Sequence, residues 1–183
     1  MKTLPSVSSR CYLQAMSSKK ITGKTPSESA VTKTEIVLPQ HTNALGTIFG
    51  GTVMSWIDIA AAIAAERHAR SLVVTASVDA LHFIAPLKSG DIALVQAQVN
   101  YTHKTSMEVG VRVEVENPLT GERHHCVTAY TTFVSVNDQG KPQPVIPVLP
   151  QTELEKKRYE QAKKRRESRI RLKKEFESSH TES

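Results

Sequence analysis

Between residues 47 and 65 of this 183-residue chain a single side chain ionises, Asp58. Within residues 47–69 the apolar positions Val53, Ile57, Ala60, Ala61 and Ala64 recur at helical spacing,. A helix with so little polar surface is expected to be wrapped nearly all round. The segments C-terminal to it supply the wrapping. Residues 72–83, 91–103, 106–117 and 124–137 are β-branched and alternate, as in Val109, Val111, Val113 and Val115 against Glu108, Arg112, Glu114 and Glu116,. Short connectors such as Ser89-Gly90-Asp91 and His103-Lys104-Thr105 carry turn chemistry and predict hairpins, hence an antiparallel meander,.

These elements predict one α+β domain over residues 34–138. A long central helix is wrapped by a curved antiparallel sheet of five to six strands, the first strand at residues 35–38. Residues 1–33, rich in Ser, Thr and Lys, predict a flexible basic leader, since burial would not offset the entropy of ordering it,. Its composition also resembles an organelle presequence, and Met16 offers a second start,. Prolines at 142, 144, 147 and 150 predict a stiff connector over 139–151,. Thr152-Glu153-Leu154-Glu155 then opens a charged helical tail over 152–183 with a capping-box pattern,. Acids four residues ahead of bases, as in Glu153/Lys157, support a solvated or partly docked helix,.

The net charge of +6 suggests a polyanion partner until it is partitioned. Residues 1–34 carry +5, residues 35–152 carry −3, and residues 153–183 carry +4. Seven acids interleave with the bases of the tail and no aromatic stacking pattern accompanies them, which argues against a nucleic-acid partner,. No run approaches the ~18 apolar residues of a membrane span, so no integral membrane association is expected. Cys11 and Cys126 cannot form a disulfide framework or a cysteine zinc site, and the histidines lack metal-ligand spacing,. No cofactor is therefore expected, and a cytoplasmic location fits, with organelle targeting by the leader as the alternative.

The chemistry concentrates in residues 41–51, which feed the apolar helix. Gly50-Gly51 leaves backbone N–H groups unshielded at a helix start, where a developing oxyanion can be held. Asp58 is a lone carboxylate among Trp56, Ile57 and Ile59, a placement that needs partners or a purpose,. The alternative is that the glycines permit close packing and Asp58 caps a loop. Gly51 and Asp58 share a helix face but lie about 10 Å apart along it. One helix cannot bring both to one carbonyl, whereas two chains about a two-fold axis can.

The spaced residues Asn43, Gly46, Phe49-Gly50-Gly51, Met54 and Asp58, then Ala61, Ala64 and His68, resemble the hotdog-fold acyl-CoA thioesterases of the bacterial short-chain and mammalian cytosolic brain type. So do residues 74–80 with Phe83, and His103-Lys104-Thr105-Ser106-Met107-Glu108-Val109. The resemblance spans residues 35–136. It implies hydrolysis of acyl-CoA to free acid and CoA without a metal, CoA being product and ligand only. It also implies homodimers with interface active sites, commonly assembled as a trimer of dimers. Carried over by position, Asp58 is the general base or water-orienting group, Asn43 positions water or substrate, and the Gly51 N–H polarises the thioester oxygen. Gly50, Thr75, Ala76 and Ser77 would bind acyl or pantetheine groups. Lys104, Thr105 and Ser106 would meet CoA phosphates, a solvated hairpin turn being the competing reading for Lys104. Two alternatives remain open: a non-catalytic acyl-CoA-binding regulator, and a hotdog dehydratase using a histidine such as His41.

Overall fold

In a computed structural model, the described residues are 23–79 and 81–179. Most of the leader, with Cys11 and Met16, lies outside them. Eight main elements succeed one another along the chain: β1 (Val31–Ile36), α1 (Gly50–Ala69), β2 (Leu72–Val78), β3 (His82–Phe83), β4 (Ile92–Thr102), β5 (Ser106–Glu116), β6 (Arg123–Val136) and α2 (Glu153–Ser179).

All strand pairs are antiparallel, in the order β1-β4-β5-β6-β2, with β3 extending the β2 edge along β6. The meander expected of all four later segments holds only for β4-β5-β6. The chain passes through α1 between β1 and β2, and these strands end on opposite edges of the sheet. The first strand begins at Val31 rather than residue 35. It is preceded by a turn at Pro26–Ser29 whose Ser29 is buried. Ser29 Oγ accepts from the Val99 N–H at 3.0 Å, so the chain is already packed on the sheet before residue 33.

The sheet curls around α1. Val95, Val99, Val109, Val111, Val113, Val127 and Phe133 pack against Val53, Trp56, Ile57, Ala60, Ala61, Ala64 and Ala65. Alanines on the helix side admit the sheet closely, and each large apolar side chain so buried contributes about 1.5–3 kcal/mol. The wrapping is one-sided, however. Met54, Ile59 and Ile63 remain exposed because the open sheet ends at β2, and Leu72, Val74 and Val78 on that edge are exposed too. The expectation of an all-round wrap is therefore not met within one chain.

The C-terminal end of α1 is tied down. Arg70 takes a left-handed conformation at φ 55°, and its N–H reaches Glu66 O at 2.7 Å,. Lys24 Nζ donates to Arg67 O and His68 O at 2.9 and 2.8 Å, a cation placed on the carbonyl end of the helix,. His68 is fully buried, its Nε2 bonded to Ile146 O at 2.9 Å and its Nδ1 without a partner among the described residues. The Pro-rich connector is strapped across this end, with Val148 N–H on Thr102 Oγ1 at 3.0 Å and Val145 N–H on Lys104 O at 3.1 Å.

The charged helix is docked, and the binding is specific. On the outer sheet face Tyr159 meets Tyr101 edge-on at 4.9 Å, and Ala162 is buried. The Arg165 guanidinium lies 3.5 Å over the Tyr130 ring and pairs with Glu108 at 2.6 Å. Arg169 bridges Asp79 at 2.7 Å and Glu108 at 3.3 Å. Glu108, 1% exposed, thus belongs to a buried network rather than to a solvated strand face. Among the described residues the helix pairs Glu153 with Lys156, three apart with the acid first, and Arg171 with Glu175 and Lys173 with Glu177, four apart with the base first, rather than the anticipated acid-first pairs four apart.

Arg165→Ala should leave Glu108 short of its main partner and destabilise the fold by about 2–4 kcal/mol, and R165A with Glu108→Gln by less. Urea unfolding of the three proteins checks this. Burial holds the His68 pKa below its ordinary value, so only the unfolded chain takes up this proton as pH falls below about 6.5,. The His68 share of stability is complete above that pH and lost progressively below it. Urea midpoints at pH 7.5 and 5.5 should therefore differ more in the parent than in His68→Gln.

Candidate active site

The loop ahead of α1 is stitched by local hydrogen bonds that arise from its sequence. Pro39–His41 forms a single helical turn, closed by Thr42 N–H and Oγ1 on Pro39 O at 3.1 and 2.7 Å. Asn43 Oδ1 accepts from the Leu45 and Thr47 N–H groups at 2.9 and 3.3 Å, and its Nδ2 donates to Thr47 Oγ1 at 3.0 Å. This is turn chemistry typical of Asn, and Gly46 supplies the left-handed φ of 72° that the turn requires,. Ile48 N–H on Leu87 O and Phe49 N–H on His41 O then fix the entry of α1 at 2.8 Å each. His41 packs edge-on against Trp56 at 5.4 Å, which commits it to the loop.

At the start of α1 the Gly50 and Gly51 N–H groups meet no acceptor among the described residues, as the first turn of a helix dictates,. A side chain at Gly50 would come against Phe83 of β3, whereas the space at Gly51 is open. The N-terminus thus presents free donors on its open side.

Two turns further along, Asp58 projects from α1 onto the side the sheet leaves uncovered. Thr75 of β2 donates its Oγ1 to Asp58 Oδ1 at 2.9 Å. The register explains the meeting. Thr75 pairs with buried Phe133 and so faces α1, and a bulge at Ala76 then carries Ser77 to the outer face opposite Thr132,. The strand read as a pantetheine-pairing edge also holds the carboxylate. A hydroxyl-bearing residue at an inward position of an otherwise apolar alternation was the signal for it.

Within the chain no hydrogen bond joins Asn43 or Gly51 to Asp58. Lys104, Thr105 and Ser106 form the β4–β5 turn. Thr105 O accepts from Ser135 N–H, and Ser135 Oγ meets Ser71 Oγ at 2.7 Å just past the end of α1. The Lys104 turn and Gly51 therefore lie at opposite ends of α1, roughly 30 Å apart along a 20-residue helix,. Arg166 of α2 donates to His103 Nδ1 at 3.2 Å beside this turn. Burial, with Arg166 and Lys104 nearby, lowers the His103 pKa. Sequence reasoning had missed Arg166, because nothing local connects α2 to β4.

A central helix half enclosed by a curled antiparallel sheet defines a hotdog protein, and the N–H groups at the helix start and the carboxylate midway along its open side make the unwrapped face the candidate site. Residues 45–122 match the thioesterase superfamily. A Bacillus subtilis protein named as an uncharacterized acyl-CoA thioester hydrolase is 44% identical over 128 residues, covering 70% of this chain and 74% of that one. The mouse cytosolic acyl coenzyme A thioester hydrolase is 36% identical over 132 residues, 71% of this chain but only 35% of its own length. Among solved structures, an apo-hexameric acyl-CoA thioesterase superposes with a TM-score of 0.79 at 47% identity, covering 81% of this chain and 95% of that one. The Staphylococcus aureus acyl-CoA hydrolase, solved with butyryl coenzyme A and coenzyme A, gives 0.80 at 40% identity, covering 85% and 95%. That enzyme has also been solved with alanine replacing an Asn, an Asp and a Thr, whose separations in sequence equal those of Asn43, Asp58 and Thr75. The chain belongs to the hotdog-fold acyl-CoA thioesterase family.

Because a Cβ at Gly51 meets nothing within 4 Å, Gly51→Ala should hold or slightly raise the melting temperature,. Gly110→Ala should lower it, since its methyl would collide with the Asn100 carboxamide. Thermal unfolding of the two variants provides the comparison.

Proposed function

We propose that the protein hydrolyses acyl-CoA thioesters to a carboxylic acid and CoA, at sites formed between two copies of the chain. The observation that carries this reading is the Asp58–Thr75 pair, set on an apolar helix face that one chain leaves open. Water adds to the thioester carbon and gives up a proton, and the tetrahedral intermediate expels CoA as a thiolate that is then protonated. Asp58 orients the water and accepts its proton. The Thr75 hydroxyl occupies one carboxylate oxygen, fixes the rotamer and leaves the other oxygen for the water. Orientation of the water and stabilisation of developing charge add to proton transfer in the effect of Asp58.

The Gly51 N–H, at the positive end of the α1 dipole, is suited to hold the oxyanion. It cannot reach the carbonyl that Asp58 of the same chain serves, being about 10 Å away along the helix. Antiparallel pairing of two β2 edges places two α1 helices side by side in opposite senses, so that Gly51 of one faces Asp58 of the other. The same pairing covers the exposed Met54, Ile59 and Ile63,. Assembly of such dimers into a trimer of dimers accords with the hexameric relative. Asn43, with its oxygen engaged in the turn, retains one Nδ2 proton to direct at water or substrate. Gly50, Ala76 and Ser77 offer backbone to the acyl and pantetheine chain. Lys104, Thr105 and Ser106, joined by Arg166, offer charge and donors to CoA phosphates. A cytoplasmic setting fits the cytosolic mouse relative, and among the described residues no helix is long and apolar enough to cross a membrane.

Release of free thiol from acyl-CoAs of graded chain length tests the reading. Asp58→Asn should lower kcat about 10²–10⁴-fold, as loss of a positioned acid–base group does. Thr75→Ala should cost about tenfold, equivalent to ~1.4 kcal/mol for one hydrogen bond to a charged group. Equal rates in parent and D58N would remove Asp58 from the chemistry, and no hydrolysis at any chain length would reject the function.

A further inference from the structure

The docked α2 helix does not stop at the edge of its own sheet. Tyr159 and Ala162 sit over β4, Arg165 over Glu108 of β5 and Tyr130 of β6, and Arg169 on Asp79 just past β2. The helix therefore crosses the strands in their sheet order. Leu172 and Lys173 then line an open, mainly apolar groove of about 900 Å³ beside Ala76, Ser77 and Val78 of the edge strand. From Lys173 the helix runs on to Ser179, about 9 Å at 1.5 Å per residue, or nearly two strand spacings of about 4.8 Å,. Leu172 and Phe176 continue the sheet-facing row of Arg165 and Arg169 at helical spacing, and they are 49% and 68% exposed,.

A matching apolar surface lies on the same outer face. Val73 and Thr75 point inward to the core and Asp58, so Leu72 and Val74 point outward, where they are 58% and 50% exposed. The chain's own α2 crosses β2 at its far end, near Ser77 and Asp79, and does not cover them. Antiparallel pairing of two β2 edges sets the Asp79 end of one strand opposite the Leu72 end of the other. It thereby carries the overhang of each α2 onto that exposed pair in the partner.

We propose that the last two turns of α2 clamp the dimer seam from the outer face, with Leu172 packing on Leu72 and Val74 of the partner subunit. The clamp rests on the β2–β2 pairing of the proposed shared-site dimer and adds a second layer to it: the edge strands join by backbone hydrogen bonds, and the two helices strap the joint from behind. The Arg165 and Arg169 network anchors each strap at its root. The occupant of the groove is thus a second copy of this chain, and the otherwise charged helix keeps apolar residues where that copy lies.

Co-expression of differently tagged Val74→Cys and Leu172→Cys chains, both in a Cys11→Ser background, tests the proposal directly. Mild oxidation should convert most of the mixed assembly into a covalent heterodimer. The same treatment of V74C with Leu119→Cys, at the exposed β5–β6 turn, should not. In parallel, Leu172→Glu should weaken the dimer at least tenfold in sedimentation equilibrium, with Leu119→Glu unchanged. An assembly that sediments as a dimer or hexamer but gives no heterodimer cross-link overturns the clamp and leaves the shared-site reading standing. A monomer at every concentration overturns both, as does equal cross-linking of the control pair for the clamp alone.

Discussion

One constraint organises the molecule: a helix almost free of charge is given a sheet that covers only one of its sides. The buried apolar residues of α1 share one core with the curled strands, and the alanines there bring the sheet in close. The uncovered side carries Met54, Ile59 and Ile63, and Asp58 is the one ionisable side chain between residues 47 and 65. A single carboxylate on such a surface lies at low dielectric once a second body closes over it, and electrostatic effects on a reacting group are strengthened there. In the proposed dimer, the same incompleteness that leaves Met54 and Ile59 exposed in one chain would provide a water-poor space for chemistry between two,.

The edge strand β2 answers to both sides of the sheet. Inward, Thr75 fixes the rotamer of Asp58. Outward, after the bulge at Ala76, Asp79 is gripped by Arg169, which also reaches Glu108. The bulge lets a strand with period two serve both tasks, since without the extra residue Ser77 would turn inward. A buried carboxylate such as Glu108 costs several kcal/mol to desolvate unless its partners are well placed. Two arginines meet that requirement, and the Tyr130 ring supports one of them, Arg165, so the position of α2 on the sheet is specified rather than loose.

Periodicity in the sequence carried the central helix, the three hairpinned strands and the helical tail, because those features depend on neighbours close in the chain. The pairing of β2 with β6 and the start of β1 at Val31 escaped it, being set by which edges the curled sheet leaves available. At the site, Asp58 and the glycine pair were legible as departures from their surroundings, one charge in an apolar run and two residues without side chains at a helix start. The Thr75 contact was not, because it joins residues on different elements through a register that a bulge shifts. The burial of Glu108 was hidden for a related reason. Alternation assigns it to the outer face correctly, but says nothing of a helix from the far end of the chain that buries that face.

The charge distribution resolves in the same way. The C-terminal segment carries +4, yet two of its arginines are spent on Glu108 and Asp79, within a core region whose own balance is −3. Much of the apparent basic excess is therefore internal complementarity between a helix and the acidic face it covers. Arg166 differs from its neighbours. It points to the β4–β5 turn, where it meets His103, whose pKa burial and the neighbouring cations lower, and stands beside exposed Lys104. Arg166 meets an imidazole rather than a carboxylate, whereas Arg165 is paired with Glu108. On the proposed function, the base of α2 that lies next to the turn is the one placed for a phosphate-bearing ligand, and the net charge of the whole chain is no guide to it,.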